Sequence, residues 1–143
     1  MDRSLREIDD FNRLIGGDVA QTKWWVICLC AAWCGVCKEY QKGFAQLSTA
    51  FPEVNFLWLD VEDLEDVVGD LDVETFPTLL IGSGQSAYFL GPLLPQISVL
   101  ERMIHSFVAG DAPVSGLPQE ASPLFRRVIA DYLQCENRYK LPV

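Results

Sequence analysis

A chain of 143 residues, half of them apolar or aromatic, suits one domain with a small extension and can bury roughly two-thirds of its unfolded surface. Its formal net charge of −9 argues against nucleic acid and anionic membrane surfaces, because no basic stripe is present to neutralise phosphates. No apolar run reaches the ~18 residues of a membrane span.

The first ten residues are charged and alternate in sign, so they lack the apolar centre of a secretory signal. The chain carries five cysteines, and four of them fall between Cys28 and Cys37. An odd number so clustered is a poor framework of structural disulfides and fits a reducing compartment. A cytoplasmic location is the expectation.

Leu5, Ile8, Phe11 and Ile15 recur at helical spacing, with Ser4 and Glu7 placed as a capping box and Gly16-Gly17 as the stop. Asp18 to Lys23 reads as a polar connector. Trp24 to Cys30 is aromatic and β-branched without a charge, the pattern of a strand buried on both faces. After the turn Trp33-Cys34-Gly35-Val36-Cys37, residues Tyr40, Phe44 and Leu47 share the apolar face of a helix running to Ala50. Val54 to Leu59 predicts a second strand, and Asp60 to Gly69 a short acidic helix. Strand, helix, strand in this order predicts a right-handed βαβ unit.

Thr75-Phe76-Pro77-Thr78 leads into an apolar strand. Gly82-Ser83-Gly84-Gln85 is a hairpin signal, and Ala87 to Leu90 is the returning strand before Gly91-Pro92. Ile97, Leu100, Ile104, Phe107 and Val108 mark an amphipathic helix that stops at Gly110. Residues 111–120 read as a linker. Ser122-Pro123 predicts a cap followed by proline at the first helical position. Leu124, Phe125, Val128, Ile129, Tyr132 and Leu133 then form a stripe on a last helix, expected to dock on the domain or to pair with a second copy. The organisation expected is a domain over residues 1–110 with a linker and helical extension over residues 111–143.

Two cysteines with two residues between them, on a strand-to-helix turn, are the layout for reversible thiol–disulfide chemistry. The thiolate is the reactive form. Cys34 would stand at a helix N-terminus, where unpaired N–H groups and the helix dipole favour negative charge. Cys28 and Cys30 could complete four thiolates for zinc or an iron–sulfur cluster. Residues two apart on a strand share one face, however, and this strand must run on into the sheet. Both are therefore expected to be small core residues, and neither a metal nor another cofactor is assigned. Cys135 reads as an ordinary thiol, His105 as a solvent-side histidine, and Trp24, Trp25 and Trp58 as core or sheet-face residues.

The Trp-Cys-Gly-Val-Cys turn, the later Phe76-Pro77-Thr78 and the order of elements together resemble the thioredoxin family over roughly Leu5 to Gly110. The resemblance implies an α/β fold with a central four-stranded mixed sheet flanked by helices. The stretch Met1 to Arg3 is too short for the family's usual first strand, which would leave Val54 to Leu59 on an open edge. It also implies a cis peptide bond before Pro77, which faces the cysteines. Phe76 would offer its backbone to an extended substrate, Trp33 would shield one side of the pair, Gly35 would let another backbone approach, and Gly91 matches the family's glycine after the hairpin.

The implied activity is protein-disulfide exchange in cell redox homeostasis, with protein disulfides as substrates and a reductase as electron donor. Cys34 attacks the substrate disulfide; Cys37 then attacks Cys34 and closes a Cys34–Cys37 ring. Two departures bear on this. Cys28 and Trp58 stand where the family keeps a buried aspartate and a lysine, so the usual proton acceptor for Cys37 is missing. Val36 replaces the commonest proline, which should make the pair a better oxidant. A binding or chaperone module with weak redox activity is the alternative.

Overall fold

The computed structural model describes residues 24–69, 71 and 73–139. The expected first helix, its capping box, the polar connector and the question of a first strand lie outside the described residues.

Strand β1, Trp24–Cys30, is the centre of the molecule. Helix α1 is Gly35–Ala50, strand β2 is Val54–Asp60 and helix α2 is Glu65–Val68. Strands β3, Thr78–Ser83, and β4, Ser86–Pro92, form the hairpin. Helices α3, Ile97–Val108, and α4, Ala121–Gln134, follow, and a single 3-10 turn covers Glu136–Tyr139. Among the described residues the sheet has four strands in the order β2-β1-β3-β4. β1 pairs with β2 in parallel and with β3 antiparallel, so the sheet is mixed as expected, and β2 is an edge among the described residues.

Both faces of the sheet are covered, which is why β1 carries no charge. Val26, Cys28 and Cys30 point to one side, into a cluster with Tyr40, Phe44 and Leu47 of α1 and Leu100, Ile104 and Phe107 of α3. Trp25, Ile27 and Leu29 point to the other, against Leu124, Phe125, Val128 and Ile129 of α4. The period-two alternation of a strand thus splits one sequence run between two cores. The last helix docks its stripe on the sheet. Arg126 donates to the Gln85 carbonyl at 3.0 Å and Arg127 to the Val67 carbonyl at 3.0 Å, tying α4 to the hairpin and to α2. No helix among the described residues is long and apolar enough to cross a membrane.

Two expectations need correction. The acidic helix over Asp60 to Gly69 shrinks to Glu65–Val68. The Asp60 carboxylate accepts from the backbone N–H groups of Glu62 and Asp63 at 2.9 and 3.1 Å, and so holds a turn where a helix would otherwise start. Ser122 is not the cap of α4. The helix begins at Ala121, and the Ser122 hydroxyl instead accepts from the Ala87 N–H at 2.9 Å, fastening the helix start to β4. Pro123 is accordingly the third helical residue and not the first, still within the first turn, where its missing N–H leaves no intrahelical bond unmade.

Candidate active site

β1 ends at Cys30 and the chain turns at once. The Cys34 N–H donates to the Ala31 carbonyl at 3.1 Å, and the Cys34 carbonyl accepts the first α1 bond from Lys38 at 3.2 Å. Cys34 is the N-cap of α1, with extended backbone angles of φ −83° and ψ 121° and no side-chain cap bond. Its sulfur is a partly buried free thiol at the positive end of a 16-residue helix. Cys37, one turn on, faces inward and is 2% exposed.

The disulfide of the structure joins Cys37 to Cys30, with the two Cα atoms 5.8 Å apart. Cys28 and Cys30 are both fully buried, as small core residues would be. Cys30 is nevertheless not a bystander. Its strand runs directly beneath the first turn of α1 and puts its sulfur within bonding reach of Cys37. The Cys28 sulfur lies 3.7 Å from that of Cys30. Burial pushes the Cys28 thiol well above its ordinary range, so it stays protonated. Cys28 and Trp58 are direct partners in the β1–β2 register. The Tyr40 hydroxyl, raised by burial first and by Cys28 second, is also neutral. On the inner side of the sulfur cluster these two groups are therefore uncharged.

The mouth of the site is aromatic. Trp33 is 66% exposed; its ring meets Phe76 edge to face at 5.8 Å, and its indole N–H donates to Glu62. The Phe76–Pro77 peptide bond is cis. The loop is pinned by Leu93 N–H donating to the Pro77 carbonyl at 3.2 Å and Thr78 Oγ1 donating to the Thr75 carbonyl at 2.6 Å. Cys34 and Phe76 pack on the same cluster as Cys37. Val36 is exposed on the outer face of the turn. A Cβ built on Gly35 would meet nothing within 4 Å, so the fold itself does not require glycine there. Gly91 stands on β4 opposite Leu79 and lines a separate pocket of about 300 Å³ with Thr75 and Thr78.

Sequence reasoning missed three contributors. Asp60 bonds the Ala32 N–H at 3.0 Å through its second oxygen, clamping the cysteine turn to the end of β2. Glu62 holds Trp33. Cys30 holds Cys37. Only Asp60 had a local signal, an aspartate two residues before a backbone it could cap. Behind Cys37 opens a cleft of about 330 Å³, lined also by Lys38, Trp58, Asp60 and Asp63. Among the described residues no three of His, Cys, Asp and Glu stand together as a metal-ligand set. His105 is on the solvent side of α3, with its ring against Phe51.

A family model, described as Thioredoxin, matches residues 8–92. Thioredoxin H-type from Picea mariana is 38% identical over 76 residues, which is 53% of this chain and 53% of that protein. Mitochondrial thioredoxin-3 from Saccharomyces cerevisiae is 33% identical over 78 residues, 54% of this chain and 58% of that one. The chain thus spans a little over half the length of these relatives. In three dimensions it overlays on the oxidised form of the same yeast thioredoxin 3 with a TM-score of 0.55 at 27% identity, covering 69% of this chain and 89% of the other. A thioredoxin from Nicotiana alata gives 0.57 at 26% identity, with 72% and 85% covered.

Proposed function

This chain belongs to the thioredoxin family, and from that premise we propose that it is a thiol–disulfide oxidoreductase working through Cys34 and Cys37. The observation that carries the proposal is the placement of a free Cys34 thiol as N-cap of α1 with Cys37 one turn inside. The helix N-terminus favours a thiolate at Cys34. That thiolate attacks a substrate disulfide to give a mixed disulfide and a departing thiolate. Cys37, as thiolate, attacks the Cys34 sulfur, releases the reduced substrate and closes the Cys34–Cys37 bond.

The surroundings support these roles. Trp33 and Phe76 make an apolar rim for an extended segment of a protein substrate, and the empty space over Gly35 leaves room for that segment's backbone. The Phe76 backbone before Pro77 would pair with it. Gly91, on β4, would border the segment at the pocket it lines with Thr75, the residue before Phe76. Cys28, protonated and buried, cannot take the proton of Cys37. The cleft behind Cys37 brings Asp60 and Asp63 to the same wall and gives that proton an exit.

The electrons come from a reductase, and the cysteine usage suits the cytoplasm, although a mitochondrial thioredoxin is among the similar proteins. The α4 stripe is buried on the sheet, and among the described residues β2 is an edge strand on which a second copy would pair. The test is a dithiol-driven reduction of a protein disulfide. Wild type should accelerate it and Cys34→Ser should not; equal rates for the two would remove the enzyme reading.

A further inference from the structure

We propose that Cys30 is a third redox cysteine, which takes Cys37 away from Cys34 by internal exchange and leaves the oxidised protein with a free Cys34. The inference rests on the Cys34/Cys37 reading above and adds a second, inner destination for the oxidising equivalents. Three observations carry it. Cys37 is bonded to Cys30 and Cys34 is free. The inner pair is covered against a protein partner, with Cys30 at 0% and Cys37 at 2% exposure, so a protein disulfide engages it through Cys34, while the cleft that Cys37 lines admits a small oxidant. The Cys28 sulfur, 3.7 Å from that of Cys30, supplies a polarisable neighbour inside an otherwise apolar cluster.

The step balances without an outside reagent. Starting from the Cys34–Cys37 disulfide left by one turnover, the Cys30 thiol loses its proton and its sulfur attacks the Cys37 sulfur. The Cys30–Cys37 bond forms, the Cys34–Cys37 bond breaks, and the electron pair leaves on Cys34. One disulfide replaces another, and the proton passes to solvent or to Cys34. The direction follows from where charge is tolerated. A disulfide is neutral and suits the interior, whereas the thiolate released at Cys34 meets the helix N-terminus and water. Cys28 is left as the buried, protonated thiol of the cluster, with the neutral Tyr40 beside it.

The consequence is a parked state. The protein stays oxidised yet keeps its outer nucleophile, and it re-enters the cycle only when Cys34 attacks Cys37 in reverse. Cys30→Ala should therefore abolish the lag with which pre-oxidised protein begins dithiol-driven turnover.

The direct test uses Cys135→Ser protein, so that the exposed thiol of Cys135 does not interfere. The protein is oxidised with stoichiometric diamide and labelled under native conditions with iodoacetamide, and the label is placed by mass spectrometry. Cys34 should be alkylated in this protein and protected when Cys30→Ala is added. Protection in both overturns the proposal and leaves the Cys34/Cys37 enzyme intact. Labelling in both means that Cys37 never pairs with Cys34, which overturns the proposal and the mechanism above together. Should Cys30→Ala fail to fold, Cys34→Ser with Cys135→Ser decides it. Its three remaining cysteines should lose two thiols to diamide as monomer, and retention of all three overturns the proposal.

Discussion

Asp60 shows how much one side chain can organise. It ends β2, accepts two N–H bonds from its own turn and a third from Ala32, and so fixes the cysteine turn against the sheet. Asp60→Ala should cost about 1 kcal/mol of stability, as loss of a capping side chain does. It should also slow disulfide reduction, because the turn loses its clamp. Denaturant melts and the reduction assay check both, and a variant as stable and active as wild type would contradict the clamp. Tyr139 makes a second prediction at this scale. Its phenol is raised first by burial and then by donation to Asp131 at 2.8 Å. Folding thus favours the protonated form. The stability this provides is whole below the ordinary tyrosine pKa of about 10 and is lost as pH rises through the higher folded value. Urea midpoints should fall above about pH 10, and Tyr139→Phe should soften that fall; identical pH profiles would count against it. The placement of Cys34 and Cys37 on a strand-to-helix turn was legible from spacing, and that of Trp33 beside them from the family resemblance. The Cys30–Cys37 bond was not, because it depends on how closely a strand passes beneath a helix.

Elements were read mostly from periodicity, which is why β1, α1, β2 and α3 stand where the apolar pattern placed them. The failures occurred where a side chain competed with the backbone, at Asp60 for α2 and at Ser122 for α4. Nor did the sequence reveal how tightly hairpin and last helix fit. A Cβ on Gly82 would come 2.6 Å from the Ser86 carbonyl and 2.7 Å from the ring of Phe125. Neither backbone nor a fully buried ring yields cheaply, so Gly82→Ala should lose about 1–3 kcal/mol. Phe125→Ala, which empties the other side of the same contact, should lose about 3–5 kcal/mol. Adding Phe125→Ala to Gly82→Ala should cost less than the sum, since the ring is one of the two groups that the added Cβ would meet. Strict additivity in thermal or urea melts would show that the two positions do not share a contact.

At the scale of the molecule, α4 supplies five of the sixteen buried residues of one core. Leu124, Phe125, Val128 and Ile129 are fully buried against the face of β1 that carries Ile27 and Leu29. Composition foresaw a linker and a helix after Gly110, but not that the sheet depends on them, because a stripe does not reveal which surface it covers. A chain cut after Gly110 should lose its cooperative melt, and an unchanged melt would make residues 111–143 an appendage. The sheet, with its far face covered by α1 and α3, then serves to hold one helix mouth and one proline loop around a sulfur.

That claim is tested most directly by trapping. Cys37→Ser lacks the thiol that resolves the mixed disulfide, so when mixed with a disulfide-containing protein it should accumulate a covalent adduct at Cys34. Dithiothreitol should release that adduct, and Cys34→Ser should form none. An adduct that maps to another cysteine, or equal adduct from the two variants, would contradict the assignment of Cys34 as nucleophile and Cys37 as resolver.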